Sequence, residues 1–194
     1  NEWDNTTAMP MRYIGDGTTK VFEAYIKVNS GQAFKFIGEQ GTWDNGNYGT
    51  IGGAQDGNLE NGGGSGDVKV AEVEGPGLYY VQVNLDDMKY KSIKMNWGII
   101  GDATPGAWGG ETAMTYDFAS NTYNYTGSLN AGELKFRAIN VSQFIYREDW
   151  KFAIGNSAEK FAYDTGASNF PITAGSYTLS VSIGFDGVAT VTGL

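Results

Sequence analysis

The sequence predicts an all-β protein made of two tandem antiparallel β-sandwich modules. Three observations predict it. Apolar residues alternate with polar ones at period two, Gly/Asn/Asp turn signals separate the alternating runs, and the whole pattern recurs once along the chain. Over 176–183, Tyr177, Leu179, Val181 and Ile183 alternate with Ser and Thr. Over 78–85, Tyr79, Val81, Val83 and Leu85 do the same. Over 133–138, Leu134, Phe136 and Ala138 share one face, with Lys135 and Arg137 on the other. Successive side chains of an extended chain point to opposite faces, so each run predicts a strand with one buried and one wet face. Turns are expected at Asp44-Asn45-Gly46-Asn47, Asp56-Gly57-Asn58, Gly75-Pro76-Gly77 and Asp186-Gly187. The best helix candidate, 156–163, is barely two turns long.

The repeat defines the modules. Trp3, Thr7, Ala8 and Met9 recur as Trp108, Thr112, Ala113 and Met114. Ser30-Gly31 leading to Phe34-Lys35-Phe36 recurs as Ala131-Gly132 leading to Leu134-Lys135-Phe136. Trp43 pairs with Trp150, Gly77-Leu78-Tyr79 with Gly175-Ser176-Tyr177, and the run from Tyr90 to Ile93 with Ala189-Thr190-Val191. Modules are therefore expected at 1–95 and 96–194, each about 90 residues, a common sandwich size. They join near Met95 to Trp97 with almost no linker. The second copy has 97–107 before its Trp108, enough for an opening strand, whereas only Asn1 and Glu2 precede Trp3. The first module is thus expected to lack its first strand, to leave an open sheet edge, and to belong to a polypeptide that extends upstream. Residues 45–67, rich in Gly and Asn, read as a long surface loop, mobile at its tip. A sharper reading is a calcium loop with Asp56, Asn58, Glu60 and Asp67 as oxygen ligands; the turn glycine sits one place late for an EF-hand. No other cofactor is expected.

Composition removes several functions. With no Cys and no His in 194 residues, disulfides, Cys/His zinc sites and His- or Cys-dependent catalysis are excluded. A net charge of −9 repels phosphate, which argues against nucleic acid and anionic membranes. A neutral ligand suits such a surface. A glycosidase needs two carboxylates at a set separation. Glu148 and Asp149 are adjacent, so on a strand they diverge, and no acidic pair recurs in both copies. The chain reads as a non-enzyme.

Tryptophan placement carries the ligand argument. Trp3, Trp43, Trp108 and Trp150 each sit beside Asp, Asn or Gly rather than inside an apolar run. An exposed indole ringed by polar groups holds a sugar: the C–H face stacks on the ring, and amides, carboxylates and cations bond the hydroxyls. The same indoles could instead pack beneath loops. Lys35, Lys135 and Arg137 lie opposite the buried Phe positions, as sugar-bonding donors or as an ordinary solvated face. Asn47 and Tyr48 follow Trp43 closely and would supplement the first site, where Ile37 replaces Arg137.

These residues carry a family resemblance. The run from Trp97 to Trp108, then Met114-Thr115-Tyr116-Asp117, then the stretch from Ala131 to Arg137, looks like the C-terminal modules of SusE/SusF-type proteins. Phe34-Lys35-Phe36 with Trp43-Asp44-Asn45-Gly46-Asn47-Tyr48-Gly49 does too, so nearly the whole chain is covered. The resemblance implies immunoglobulin-like carbohydrate-binding modules on a Gram-negative outer-membrane lipoprotein, exposed at the cell surface. Such proteins hold starch, maltooligosaccharide or another neutral glycan for a neighbouring uptake complex in polysaccharide utilisation, without catalysis. It points to Trp3, Lys35, Trp43 and nearby Tyr48 in the first module, and to Trp108, Lys135, Arg137 and Trp150 in the second. The second copy departs from the family's Trp-Asp-x-x-Asn-Tyr-Gly pattern after Trp150. The lipidated Cys of the family is absent, so the anchored start is expected to lie outside this chain. The competing reading is a structural or adhesive surface module that contacts proteins through its aromatics. A glycan-active enzyme ranks third.

Overall fold

Period-two alternation folds the described residues into sixteen strands, and every pairing between them is antiparallel. The structure, a computed structural model, describes residues 3–139, 141 and 152–194. The chain divides into two units, Asn1–Lys94 and Met95–Leu194. The first contains β1 (Arg12–Tyr13), β2 (Val21–Val28), β3 (Phe36–Ile37), β4 (Asn47–Thr50), β5 (Leu59–Asn61), β6 (Gly77–Asn84) and β7 (Lys89–Lys94). The second contains β8 (Trp97–Gly101), β9 (Ala107–Ala113), β10 (Thr115–Asp117), β11 (Thr122–Leu129) and β12 (Gly132–Ala138). It continues with β13 (Ala153–Ile154), β14 (Phe170–Ile172), β15 (Gly175–Ile183) and β16 (Ala189–Thr192).

Each unit carries two sheets. The first has the orders β1-β2-β6-β7 and β3-β4-β5; the second has β10-β11-β15-β16 and β13-β12-β8-β9, with β14 also on β12. The four-stranded sheets therefore share one order. The smaller sheets correspond as well: Phe36 faces Tyr48 across β3 and β4, as Phe136 faces Ile154 across β12 and β13. They also differ: β5 extends the first beyond β4, whereas β14 joins β12 in the second. In the second unit β8 stands between β12 and β9, whereas β3 pairs only with β4 among the described strands.

The core of the first unit lies between its sheets. Val28, Tyr79, Val81, Val83 and Tyr90 from one sheet meet Phe36 and Leu59 from the other, closed by Val68, Val70 and Ala71. In the second unit Leu134, Phe136 and Ala138 are buried, as alternation requires, and so are Leu179, Val181 and Ile183. Phe136 meets Phe170 edge-on, with centroids 5.7 Å apart. Trp97, the indole outside the repeated positions, is fully buried.

Three expectations change. β6 is not half wet: Leu78, Tyr80, Gln82 and Asn84 are as buried as Tyr79, Val81 and Val83. Most of its polar side-chain groups are bonded there, while Gln82 Oε1 is buried without a partner among the described residues. The Tyr80 hydroxyl donates to Glu23 Oε2 at 2.5 Å, Gln82 Nε2 donates to the Tyr80 oxygen at 3.2 Å, and Asn84 Nδ2 donates to Asp87 at 2.8 Å. Residues 156–163 are not helical, since local bonds hold them otherwise: Asn156 N–H donates to Ser168 O at 2.7 Å, and Phe161 bridges Val188. Among the described residues the α-helix is α1 (Val70–Glu74), which buries Val70 and Ala71 and stops at Gly75. Finally, 45–67 is no long loop. It holds β4 and β5, and a bridge from Thr50 to Gly66 folds its end back. The glycines serve turns while Thr50, Leu59 and Ser65 are buried.

Tyrosine burial sets an alkaline limit. Desolvation, helped by Glu74, pushes the Tyr79 phenol up to about 12; desolvation, helped by Asp117, does the same to Tyr116. Tyr123 is raised for the same first reason. In the unfolded chain these phenols ionise near 10. Their contribution is thus complete below pH 10 and is lost as pH rises from about 10 to 12, where only the unfolded state gains by ionising. Urea unfolding at pH 9 and pH 11.5, with phenolate absorbance, should show the midpoint fall. With no histidine, no such dependence is expected between pH 5 and 8.

Candidate functional site

The ends of β2 and β3 frame a cleft in the first unit. The turn after β2 is closed by Gln32, whose N–H donates to Asn29 O at 3.1 Å and whose Oε1 accepts from Asn29 N at 2.7 Å. β3 then leads into the hairpin that carries Trp43, closed where Gly38 N–H donates to Gly46 O at 3.1 Å. The opening segment lies alongside: Gly41 N–H donates to Asn5 O at 3.0 Å, and Gln40 Nε2 to Thr6 O at 2.9 Å. Asp4 caps the short 3-10 turn Asn5–Thr7 by accepting from Thr6 N–H at 3.0 Å. Its bonds to Thr6 hold that carboxyl below the usual carboxylate range.

The cleft has a volume of about 670 Å³, within the usual span of ligand pockets. Trp3, Trp43 and Phe34 supply its aromatic surface. Lys27, Lys35 and Lys69 face it, and so do Asp4, Asp67 and Glu72. Three cations against three carboxylates give a formally neutral lining with donors and acceptors of both kinds. Trp3 is 49% exposed and Trp43 half-buried. The Lys35 ammonium donates to Ser65 Oγ at 3.0 Å, which fixes its side chain.

The structure thus brings Trp3, Lys35 and Trp43 together, and leaves Asn47 and Tyr48 elsewhere. Tyr48 packs against the core as a partly buried aromatic, because its position on β4 faces Phe36. Asn47 uses its backbone carbonyl to accept from Gly62 N–H, and its Oδ1 is buried without a partner among the described residues. Gln32, Lys27, Lys69 and Glu72 had no place in the sequence reading. Only Gln32 carried a signal, next to the repeated Ser30-Gly31 landmark.

In the second unit Trp108 on β9 is 41% exposed, and its indole N–H donates to the Asp102 carboxylate. Arg137 on β12 is paired with Glu111 on β9, so the expected free donor beside Trp108 is already engaged. Gly98 on β8 lets this pair cross the sheet: a Cβ there would lie 2.8 Å from Glu111 Cβ. Lys135 sits half-buried on the same face of β12, and Trp150 lies outside the described residues. The proposed calcium ligands are separate. Asp56 closes its own turn by accepting from Asn58 N–H, Glu60 accepts from Gly52 N–H, and Asp67 faces the cleft. Among the described residues no cluster of three or more acidic groups could hold a metal ion. No helix of the described residues is long and apolar enough to cross a membrane. No protein family, curated protein or solved structure matches the chain.

Proposed function

We infer that this chain is a non-catalytic binding protein for a neutral polysaccharide such as starch. One observation carries the reading: Trp3, Trp43 and Lys35, chosen from sequence as sugar contacts, line one open cleft. Indoles offer flat apolar faces to pyranose rings, and the balanced Lys and Asp/Glu lining suits hydroxyls rather than a charged ligand. The exposed Trp108 would add a second contact in the other unit. The resemblance to SusE/SusF-type proteins supports the same reading and extends it to a cell-surface role beside a glycan uptake complex.

Native gel electrophoresis of the full chain through gels cast with starch, glycogen or other neutral glycans tests this. Retardation by at least one is expected. Unchanged mobility in all of them overturns the reading.

A further inference from the structure

Two short stretches of the first unit are alike in sequence and unlike in the fold. Asp44-Asn45-Gly46 and Glu60-Asn61-Gly62 each place an asparagine between an acidic residue and a glycine. An asparagine so placed reacts with its own backbone. The nitrogen of the next residue gives up its proton and attacks the side-chain carbonyl carbon. The amide carbon–nitrogen bond breaks, and ammonia leaves with that proton. The resulting five-membered imide takes up water at one of its two carbonyls. One opening gives aspartate; the other gives isoaspartate, whose main chain runs through the side-chain carbon. A following glycine has no Cβ to obstruct the approach.

At Asn61 both reacting groups are held. The Gly62 N–H donates to Asn47 O at 2.9 Å, and Asn61 Oδ1 accepts from Asn47 N at 2.9 Å. Asn61 also stands in register with Tyr48, so β4 and β5 must part before the attacking nitrogen is released. At Asn45 the restraint is missing. This residue is exposed in the turn between β3 and β4, and among the described residues the Gly46 N–H makes no hydrogen bond. The glycine beside it is demanded by the fold. Gly46 has a φ of 114°, and a Cβ there would lie 2.7 Å from the Tyr48 ring. The turn thus requires the residue that makes Asn45 reactive.

We propose that Asn45 is a self-modification site, converting to aspartate and isoaspartate with loss of ammonia while the fold spares Asn61, and that the conversion loosens the hairpin carrying Trp43. Asn45 Nδ2 donates to Glu39 Oε2. After conversion a carboxylate replaces that donor, so two negative groups face each other where a bond had been. Isoaspartate also adds a carbon to the main chain inside the turn that Gly38 N–H and Gly46 O close at 3.1 Å. The modification is independent of the polysaccharide reading; only an effect on sugar binding through Trp43 rests on it.

The test holds the full chain at pH 8 and 37 °C and follows both asparagines by peptide mass spectrometry, with fragmentation that separates aspartate from isoaspartate. Asn45 should convert about tenfold faster than Asn61 or more, because only Asn61 waits for its strands to open. In concentrated guanidinium chloride the two should convert at similar rates. Amide hydrogen exchange at Gly38 should quicken as the folded chain converts, and should stay constant over the same period in Asn45→Gln. Three results overturn the proposal. One is conversion at Asn45 no faster than at Asn61 in the folded chain. Another is an equal gap between them in denaturant, which would trace it to local sequence. The third is unchanged exchange at Gly38 after conversion. Polysaccharide retardation of the fresh chain reports separately on the sugar reading.

Discussion

Replacing Arg12 by alanine is expected to destabilise the first unit by about 3–5 kcal/mol, the cost of stripping a buried charge of its partner. Glu23 is 2% exposed, and Arg12 approaches its Oε1 from two nitrogens, Nε at 2.9 Å and Nη2 at 2.7 Å. Its other oxygen accepts the Tyr80 hydroxyl. Without the guanidinium, a carboxylate stays inside the protein with the Arg12 charge gone, while the Tyr80 phenol still donates to it. Glu23→Leu should cost less, since it removes the charge that needs solvating, and Arg12→Ala on that background should add little. Hydrogen exchange of the β2 and β6 amides under native conditions reads the first unit alone. A loss below about 1 kcal/mol for Arg12→Ala, the range of exposed ion pairs, would show that water reaches Glu23 freely.

The second large effect concerns binding. Trp3→Ala and Trp43→Ala, each alone, should weaken polysaccharide binding by about 1–3 kcal/mol, the cost of truncating a large aromatic anchor. That is roughly a 5- to 150-fold loss. Trp3 is half exposed, so its removal should leave stability within about 0.5 kcal/mol. Trp97→Ala is the contrast: the indole is fully buried, and its loss should cost about 3–5 kcal/mol of stability. Affinity electrophoresis and urea melts on one set of variants separate the two outcomes. If Trp3→Ala and Trp43→Ala both keep full affinity, the cleft is not the sugar site.

Much of the fold was legible because alternation is a local signal. Leu134, Phe136, Leu179, Val181 and Ile183 are buried as their period implies. The repeat was legible in the same way, and the two four-stranded sheets share one strand order. What lay beyond reach depends on partners distant in sequence. Gln82 and Asn84 look like the wet face of a strand until Tyr80 and Asp87 accept their amide N–H groups. Thr50 and Gly66 look like loop residues until they pair. The site shows the same division. Trp3, Lys35 and Trp43 were found because polar-flanked indoles and a repeated lysine stand out in a sequence. Lys69 and Glu72 reach the cleft only because α1 folds beside it. Arg137 seemed a free donor until Glu111, 26 residues away, proved to be its partner.

The shared strand order has a kinetic consequence. Central pairing in each unit joins remote segments: β2 meets β6 with partners 49 to 63 residues apart, and β11 meets β15 with partners 46 to 60 apart. Closing such loops precedes any reward from the contacts they form, so folding is slow beside that of a helical protein of equal size. When the full-length chain refolds, β2 meets not only β6 but also β15, which holds the same place in the other unit's sheet. Tandem copies with matching strands offer each other wrong partners in this way, and such exchange is a characteristic misfolding route of repeated domains. Synthesis from the N-terminus relieves the conflict, because β6 leaves the ribosome about a hundred residues before β15 and closes the first sheet while its rival does not yet exist.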